Sequence, residues 1–387
     1  MTRWLRILFL SAIPCFAQDA QARARKIQSE VIGIDTHIDT AQRILIEGVD
    51  ITRRLPDGQV DIPRLREGGM RAPFFSLWVP VYYHGAEAVR RTLDLRDAMQ
   101  AVFDAHPDQI ELAVSAADVE RITGARKIAA VLALEGGHQI DDDLRVLRMY
   151  YRLGIRAMTL THFRNNHWAD SSTDKPLHKG LTDFGRQVVR EMNRIGMIVD
   201  ISHVADSTFY QTLEVSSKPV IASHSSCRAL TNMPRNMTDD MLRALAKNGG
   251  VVGINFYPGF INSTSAQASK KRISAQAAAQ PAQNAKALDA FAAREHAADV
   301  EAAKKGRGAT LADAIAHIDH AVKVAGVDHV GIGSDWDGID KVPVGLEDVS
   351  KMTAVTAGLL ERGYSEQDVR KIMGGNMLRV MRAAIGK

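Results

Sequence analysis

The stretch VIGIDTHID, residues 31–39, decides how the fold of this chain is interpreted. Its first half is apolar and β-branched, as in a buried strand, and its second half carries Asp35, His37 and Asp39 at alternate positions. Alternate residues of an extended chain point to the same face, so three polar side chains would lie together where the strand ends. Burying such a cluster without partners is costly. We therefore expect a ligand to bind there.

Seven further segments have the composition of buried strands, and most are followed by a stretch with helical spacing. They are APFFSLWVPV (72–81), IAAVLALEGGH (128–138), IRAMTLTH (155–162), MIVDISHV (197–204), PVIASHSS (219–226), GGVVGINFY (249–257) and HVGIGSDWDG (329–338). Eight strand–helix repeats with nearly continuous apolar strands predict an α/β fold, a (β/α)8 TIM-type barrel. An open doubly wound sheet is disfavoured, because no glycine-rich dinucleotide-binding sequence follows the first strand.

Residues 1–22 have the order of a secretory signal peptide: arginines, then a short apolar stretch, then small residues. We expect cleavage near residue 17 or 22, export to the periplasm or the medium, and one barrel domain over residues 23–387. No second apolar segment reaches membrane-spanning length, so no stable membrane span is expected after the signal peptide is removed. The formal charge of +4 is spread over 387 residues without a basic block, which gives nucleic-acid binding no support.

Residues 261–309 interrupt the repeats after the seventh strand. The first part is rich in Ala, Gln and Ser, and we expect it to be mobile, whereas the second part is rich in helix formers. An insertion at this point emerges on the face of the barrel where active sites lie. We interpret it as a solvated surface excursion, with a lid over the active site as the alternative.

Acids and histidines stand at the carboxyl ends of six predicted strands, the ends that form the active-site face of a barrel. They are His37, Asp39, Glu135, His162, His203, His224 and Asp335. Any one of them alone is explained as well by a satisfied buried polar group. So many on one rim indicate a metal site, and Glu135 could bridge two metal ions with its two oxygens. Such a pair can bind a hydroxide and polarise a carbonyl, the arrangement used for hydrolysis.

Several longer motifs occur along the chain: DTHID, LEGGH, LTHFRNNHWADSS, DISHV, SHSS, PRNMTDD, GINFY, HIDHAVKVAGVDHVGIGSDWDG and GGNMLRV. In this order the chain resembles the membrane (renal) dipeptidases, the M19 metallopeptidases of the amidohydrolase superfamily, from about residue 30 to about residue 383. The resemblance implies two zinc ions per chain. His37, Asp39 and the bridging Glu135 match the ligands of one ion, and Glu135, His203 and His224 match those of the other.

The resemblance also implies roles for residues that bind no metal. His162 resembles the histidine that steadies the oxyanion of the tetrahedral intermediate. Asp335 resembles the carboxylate that moves a proton from the attacking water to the leaving amine. Arg235 resembles the arginine that binds the C-terminal carboxylate of the substrate. Tyr257 is a further candidate for substrate binding, in a stretch, NFYPGF, that departs from the more tyrosine-rich segment of the family.

The expected activity is hydrolysis of the peptide bond of dipeptides by the metal-bridging hydroxide, including dipeptides with a C-terminal D-amino acid. Two alternatives stay open. One is hydrolysis of another amide or a lactam, and the other is metal-dependent binding without turnover. Members of the family form homodimers, so the resemblance adds a homodimer to the expectations. Four other histidines, His138, His167, His317 and His320, are expected to be structural or at the surface.

Overall fold

The computed structural model describes residues 13–305 and 307–386 of the chain. Within them, ten strands are formed: β1 (Phe74–Trp78), β2 (Ile110–Leu112), β3 (Ile128–Glu135), β4 (Ile155–Thr159), β5 (Ile198–Asp200), β6 (Ile221–Ser225), β7 (Val251–Ile254), β8 (Arg307–Thr310), β9 (Val330–Ile332) and β10 (Val342–Val344). Three of these strands, β2, β8 and β10, lie outside the eight predicted segments. β2 adds to the start of β3, and β8 pairs with β10.

Seven strands lie side by side and parallel, in the order β1-β3-β4-β5-β6-β7-β9. The two edges of this curled sheet are joined by residues 33–38, which bridge to β1 through Ile38 and Phe75 and to β9 through Asp35 and Ile332. The ring therefore has eight members, and the (β/α)8 barrel predicted from the sequence is confirmed.

The first predicted strand, residues 31–39, differs from the others because it pairs only through single bridges. The buried carboxylate of Asp35 accepts hydrogen bonds from the backbone N–H groups of His37 (3.1 Å) and Ser334 (2.9 Å). The Asp35 side chain thus accepts backbone hydrogen bonds that a neighbouring strand would accept in a regular sheet. The alternation of His37 and Asp39 is retained, but the regular strand expected there is not formed.

The ring is surrounded and capped by helices. In the described part of the chain these are α1 (Ile13–Glu30), α2 (Thr40–Glu47), α3 (Ile62–Glu67), α4 (Ala86–Ala105), α5 (Ala116–Gly124), α6 (Leu144–Arg152), α7 (Asp183–Ile195), α8 (Asp206–Val215), α9 (Asp239–Asn248), α10 (Pro258–Ile261), α11 (Ser263–Ala278), α12 (Ala285–Lys305), α13 (Leu311–Ala325), α14 (Met352–Glu361), α15 (Glu366–Arg370) and α16 (Asn376–Ala384).

Local sequence explains where the crossover helices begin and end. α7 and α9 follow Thr182 and Thr238, whose side chains accept a backbone N–H of the first turn. Both helices end at glycines with a left-handed backbone, Gly196 (φ 84°) and Gly249 (φ 83°). The left-handed glycines end the helices and allow the chain to turn back toward the next strand.

The inside of the barrel is filled by side chains from the starts of the strands. Phe74, Ile198, Ile221 and Val251 are each the first residue of a strand, and they are buried in one cluster. α16 packs its apolar side chains, Met377 among them, against this cluster. α16 thus covers the amino ends of these strands, and their carboxyl ends are left open to form a site.

The predicted signal peptide, residues 1–22, falls partly outside the described residues, which begin at residue 13. From Ile13 the chain is helical as part of α1, which packs against α14 and buries Ala24 and Ile27. Among the described helices, none combines the length and the apolar character needed to cross a membrane.

Candidate functional site

The predicted site residues converge at the carboxyl end of the barrel from several different elements. Glu135 is the last residue of β3 and His224 lies within β6, whereas His203 and Asp335 lie in the turns after β5 and β9. Both turn residues have a positive φ, 67° for His203 and 68° for Asp335. Such backbone strain in a non-glycine residue is often found at functional sites. Here it accompanies two side chains that lie over the end of the barrel.

Glu135 lies at the centre of the cluster. Its Oε1 is 3.0 Å from His203 Nε2 and 3.2 Å from His224 Nε2. Its Oε2 is 3.2 Å from His37 Nε2 and accepts a hydrogen bond from the Ser76 hydroxyl at 3.1 Å. The two carboxylate oxygens therefore contact different sets of imidazoles.

The cluster has the properties of a metal site. The Nε2 atoms of His203 and His224 approach each other to 2.8 Å, and among the described residues His37 Nε2 and Asp39 Oδ1 are buried without a hydrogen-bond partner. Buried polar atoms are rarely left unpaired. Imidazole and carboxylate groups are also the ligands that zinc and similar metals take in proteins. Three groups have all their donor atoms within 4.8 Å of one another: His37, Glu135 and His224; Glu135, His162 and His203; His37, Asp39 and Asp335.

The electrostatics favour ionised carboxylate among largely neutral imidazoles. Burial would raise the pKa of Glu135, but the surrounding histidines hold that pKa well below its usual value. Burial lowers the pKa values of His203 and His224, which leaves both rings neutral. Burial would also lower the pKa of His37, but Glu135 and Asp39 raise it well above the usual value. A positive charge is thus favoured between His37 and the two carboxylates, as a metal ion would supply.

His162 lies beside Glu135, with its Nε2 3.7 Å from Oε1. The indole N–H of Trp78 donates to His162 Nδ1 at 3.4 Å. Burial lowers the pKa of His162 to about 4, so the ring is neutral near pH 7. Because Nδ1 accepts this hydrogen bond, the single ring proton is on Nε2. His162 therefore offers an N–H donor to the cleft.

Asp335 lies on the opposite side of the cluster, next to His37 and Asp39. Burial raises the pKa of Asp335 to about 8, and the charge of Asp39 adds to this effect. The side chain of Asn255 donates to Asp335 Oδ2 at 2.9 Å and fixes the orientation of the carboxyl group. Asp335 can therefore exchange a proton near neutral pH.

Arg235 is a buried cation beside the cluster. It is 2% exposed, and among the described residues no carboxylate lies within ion-pair distance of its guanidinium. Its Nη2 donates to the carbonyl oxygen of His224 at 3.0 Å, and its Nε is unpaired. Burial lowers the pKa of Arg235 to about 10, which still leaves the group charged at pH 7. A buried charge without a counterion calls for an anionic ligand.

One cleft joins all of these groups, and Tyr257 forms part of its wall together with Phe260. The structure thus brings together every residue that the sequence placed in the site. His37 does not line the cleft itself but contacts Glu135, which does. The cleft also contains groups that the sequence did not indicate, including Trp78. Trp78 lies within the predicted strand of residues 72–81. Its hydrogen bond to His162 could not be predicted from that position.

A chain of supporting hydrogen bonds was also missed in the sequence. The buried carboxylate of Asp200 accepts from Ser223 Oγ at 2.5 Å, and Ser223 Oγ lies 2.8 Å from His224 Nδ1. With its hydrogen given to Asp200, the hydroxyl accepts from the imidazole, so His224 keeps the lone pair of Nε2 directed at Glu135. Such partners orient metal-binding histidines and increase their basicity. Asp200 follows the apolar residues MIV and is the last residue of β5, and its partner Ser223 belongs to β6. The sequence therefore did not indicate that the two side chains meet.

The insertion lies over this cleft. Arg272 and Gln276 of α11 and Glu295 and His296 of α12 contribute to the cleft wall, and the side chain of Leu288, also on α12, is fully buried. The segment expected to be mobile is helical in its larger part, as α11. The interpretation as a solvated excursion is therefore replaced by the alternative, a cover over the cleft.

A parallel barrel with a buried carboxylate–imidazole cluster at its strand ends is typical of metal-dependent hydrolases. Comparisons with known proteins make this class specific. The family model for membrane dipeptidase, peptidase family M19, matches residues 21–385. The chain is 37% identical over 336 residues to dipeptidase tcpJ of Claviceps purpurea, covering 84% of this chain and 69% of that protein. It is 36% identical over 330 residues to dipeptidase 3 of Rattus norvegicus, covering 84% of this chain but only 58% of that protein.

Solved structures show the same fold. The probable dipeptidase PvdM from Pseudomonas aeruginosa superposes with a TM-score of 0.80 at 25% identity, over 95% of this chain and 99% of that chain. A metallo peptidase from Rhodobacter sphaeroides, liganded with a phosphinate mimic of the dipeptide L-Ala-D-Ala, has a TM-score of 0.75 at 24% identity, over 92% and 99% of the two chains. The chain belongs to the membrane dipeptidase family, peptidase family M19, which makes it an enzyme of the metallopeptidase class.

Proposed function

We propose that this protein is a binuclear zinc dipeptidase whose substrates include dipeptides with a C-terminal D-amino acid. The observation that carries the proposal is the position of Glu135, whose Oε2 faces His37 while its Oε1 faces His203 and His224. This arrangement supports two ions that share one carboxylate. One would be held by His37, Asp39 and Glu135, and the other by Glu135, His203 and His224.

The ligands suit zinc better than an oxygen-preferring cation. Imidazoles outnumber carboxylates in the group around Glu135 Oε1, and magnesium and calcium favour all-oxygen sites. When bound, a zinc pair would activate a water molecule and polarise the peptide carbonyl. The other steps fall to the residues of the chain.

Two side chains are placed to act on the reacting groups. The Nε2–H of His162 would donate to the carbonyl oxygen as negative charge develops on it, in a site from which bulk water is largely excluded. Asp335, whose pKa burial raises to about 8, would take a proton from the attacking water and deliver it to the leaving amine. Asn255 would keep Asp335 in position through its hydrogen bond to Oδ2.

Arg235 supports a restriction to dipeptides. Its buried guanidinium would pair with the C-terminal carboxylate of the substrate, and a bidentate contact of this kind requires a free carboxylate at a fixed place. Tyr257 and Phe260 would enclose the C-terminal residue on the same side of the cleft. A longer peptide would place a backbone amide where Arg235 needs an anion.

The test is hydrolysis of L-Ala-D-Ala by purified protein that has been stripped of metal and titrated with zinc. The phosphinate mimic bound by the Rhodobacter sphaeroides protein makes this dipeptide the first choice. We expect no activity without metal and saturation near two zinc ions per chain, and C-terminal amidation of the substrate should abolish its turnover. Two bound zinc ions with no turnover of any dipeptide would refute the assignment, whereas saturation at one ion would refute only the binuclear site.

We also propose that the protein is exported and that residues 1–22 are removed. The order of charged, apolar and small residues at the start of the chain supports this proposal. Sequencing the amino terminus of protein expressed in a bacterial host would test it. A mature terminus near residue 18 or 23 in the periplasmic fraction is expected, and an intact Met1 in the cytoplasm would contradict it.

A further inference from the structure

A side recess opens from the cleft next to His162, beneath the cover formed by α11 and α12. It contains about 230 Å³ of empty space, part of which is open to solvent. Its walls are the aromatic side chains of Trp78, Tyr82 and Phe163, and two polar side chains, Gln276 and Glu295, line it as well. An apolar channel with polar acceptors matches a side chain that has a hydrocarbon stem and a polar tip.

Glu295 is the charged group of this recess. Its Oε2 accepts a hydrogen bond from the Tyr82 hydroxyl at 2.8 Å, and no cation forms an ion pair with it in the described part of the chain. Burial raises the pKa of Glu295 and the neighbouring charge of Asp299 adds to the effect, whereas the hydrogen bond from Tyr82 and the charge of Arg272 only partly oppose it. A half-buried carboxylate that is hydrogen-bonded to a neutral hydroxyl and forms no ion pair gains free energy when a cation binds directly beside it.

The other charges that the cover brings to the cleft already have partners. Arg272 pairs with Asp299 at 2.7 Å and lies 3.5 Å from Asp340. His296 is hydrogen-bonded to Glu47. Of the charged cleft residues on α11 and α12, Glu295 is therefore the one left without a counterion among the described residues.

Gln276 supplies a second acceptor to the same recess. Its Oε1 is buried and has no hydrogen-bond partner among the described residues. An ammonium or guanidinium group carries several donors, so one such group could satisfy both Gln276 and Glu295. The faces of the Tyr82 and Trp78 rings also favour a cation over a neutral tip.

The position of the recess assigns it to one end of the substrate. Arg235, proposed to hold the C-terminal carboxylate, lies elsewhere in the cleft, with its guanidinium 5.2 Å from the centre of the Phe260 ring. The recess instead adjoins His162 and Trp78. A dipeptide that spans the cleft from Arg235 past His162 would direct the side chain of its first residue toward the recess.

We propose that this recess binds the cationic side chain of the first residue, so that dipeptides beginning with Lys or Arg are preferred over neutral ones of the same size. The inference rests on the proposed dipeptidase function and specifies its substrate class. Trp78 and Phe163 cover the methylene stem, and Glu295 with Gln276 receives the charged tip.

The test compares L-Lys-D-Ala with L-norleucine-D-Ala, which lacks only the terminal ammonium group. In the zinc-loaded enzyme we expect kcat/KM to favour the lysine peptide by about tenfold, equivalent to about 1.4 kcal/mol of binding. Glu295→Gln should bring the ratio close to one, and Glu295→Lys should favour L-Glu-D-Ala instead. Tyr82→Phe removes the hydrogen bond to Glu295 but not its charge, so this matched control should retain the preference.

Affinities of phosphinate analogues of the two dipeptides, measured by calorimetry, should give the same ratio without turnover. A ratio near one in the wild type, or an unchanged ratio in Glu295→Gln, would overturn the inference while leaving the dipeptidase function intact. If Glu295→Gln lowers kcat/KM equally for both peptides, the ratio is unchanged and the inference is likewise overturned. If neither peptide, nor any other dipeptide, is hydrolysed, the proposed function fails and the preference fails with it.

Discussion

His162 shows how one neighbour determines what a side chain can do. Because Trp78 donates to Nδ1, the neutral ring presents Nε2–H to the cleft. Replacing His162 with Asn is expected to lower kcat by about 100- to 1000-fold, the loss typical of removing one oxyanion donor. Steady-state kinetics with L-Ala-D-Ala would measure it, and mass spectrometry of metal content should show no change.

Trp78→Phe is the matched control for this experiment, since it keeps the aromatic wall and removes only the donor to His162. We expect a smaller loss of kcat, because the ring can then adopt either tautomer. A His162→Asn variant that had also lost its metal would contradict the separation of His162 from the ligands.

Asp200 has a structural role that can be measured as stability. Its buried carboxylate accepts four hydrogen bonds, from Thr159 Oγ1, Ser202 N, Ser223 N and Ser223 Oγ, and so connects β4, β5 and β6. Asp200→Asn replaces one acceptor oxygen with a donor and should lower the free energy of unfolding by about 1–3 kcal/mol. Urea unfolding of the metal-free protein would measure the change.

The control for that variant is Asp240→Asn, because the side chain of Asp240 is 82% exposed and forms an ion pair with Arg243 on the same helix. Its effect should stay within about 0.5 kcal/mol. Equal effects of the two substitutions would show that Asp200 does not hold the strands together.

At the residue scale, the sequence indicated the candidate ligands better than the residues that support them. His37, Glu135, His203 and His224 could be predicted because strand ends of a barrel meet on one face. Asp200 could not, because its partner Ser223 lies on a neighbouring strand and only the sheet order brings them together. Support residues are defined by pairing across elements, which a single sequence does not display.

At the element scale, His317 fastens α13 to the segment after β6. Its Nδ1 accepts a hydrogen bond from the Cys227 backbone N–H at 3.0 Å, and burial lowers its pKa from 6.5 to about 4. The folded protein therefore binds this proton less tightly than the unfolded chain does. Stability is complete above about pH 6.5 and declines as the pH falls toward 4. With about 1.4 kcal/mol for each tenfold difference in proton affinity, the loss is on the order of 3 kcal/mol.

Urea unfolding between pH 7 and pH 4 would test this expectation, with His317→Asn as the comparison. The Asn side chain offers an oxygen to the same N–H but does not titrate, so its stability should decline less over this range. Parallel curves for the variant and the wild type would exclude His317 as the source.

The cover over the cleft is fastened by polar contacts as well as by packing. Asp289 of α12 accepts hydrogen bonds from Tyr83 (2.8 Å) and from Arg90 of α4 (2.9 Å). Asp289→Ala should increase hydrogen exchange in residues 285–305 and raise KM severalfold, while the barrel retains its metal. Glu87→Gln, which removes another partner of Arg90 but no contact with α12, should leave exchange in that segment unchanged. No difference between the two variants would show that the cover is held by packing alone.

The elements themselves were largely predictable from local pattern. All eight predicted segments occupy the ring because a parallel barrel strand has a short apolar sequence that can be recognised by itself. The insertion was not predictable in the same way. Its Ala- and Gln-rich sequence is compatible with both a mobile segment and a helix, and contacts of residues such as Ile273 with the barrel decide between them.

At the scale of the whole molecule, the proposed metal site connects members of the ring that are distant in sequence. Its proposed ligands come from the segment before α2, from β3, from the turn after β5 and from β6. Zinc should therefore stabilise the barrel as a unit, by about 4 kcal/mol for each site at a free concentration one thousand times the dissociation constant. Scanning calorimetry of metal-free and zinc-loaded protein would measure the shift in Tm, with magnesium as the control ion. Equal shifts with zinc and magnesium would contradict a site built from imidazoles.

The segment that closes the barrel also sets the order of events during synthesis. The hydrogen bond from the Ser334 backbone to Asp35 joins residues 299 positions apart, so a ribosome has made most of the chain before residues 33–38 can meet both of their neighbours. His37 and Asp39 belong to this segment, so the first of the proposed ligands to be translated depend for their position on one of the last strands of the barrel. Contacts of such long range also make folding slow. A nascent chain that stops short of β9 therefore carries all the proposed ligands but lacks one of the two strands that position His37 and Asp39.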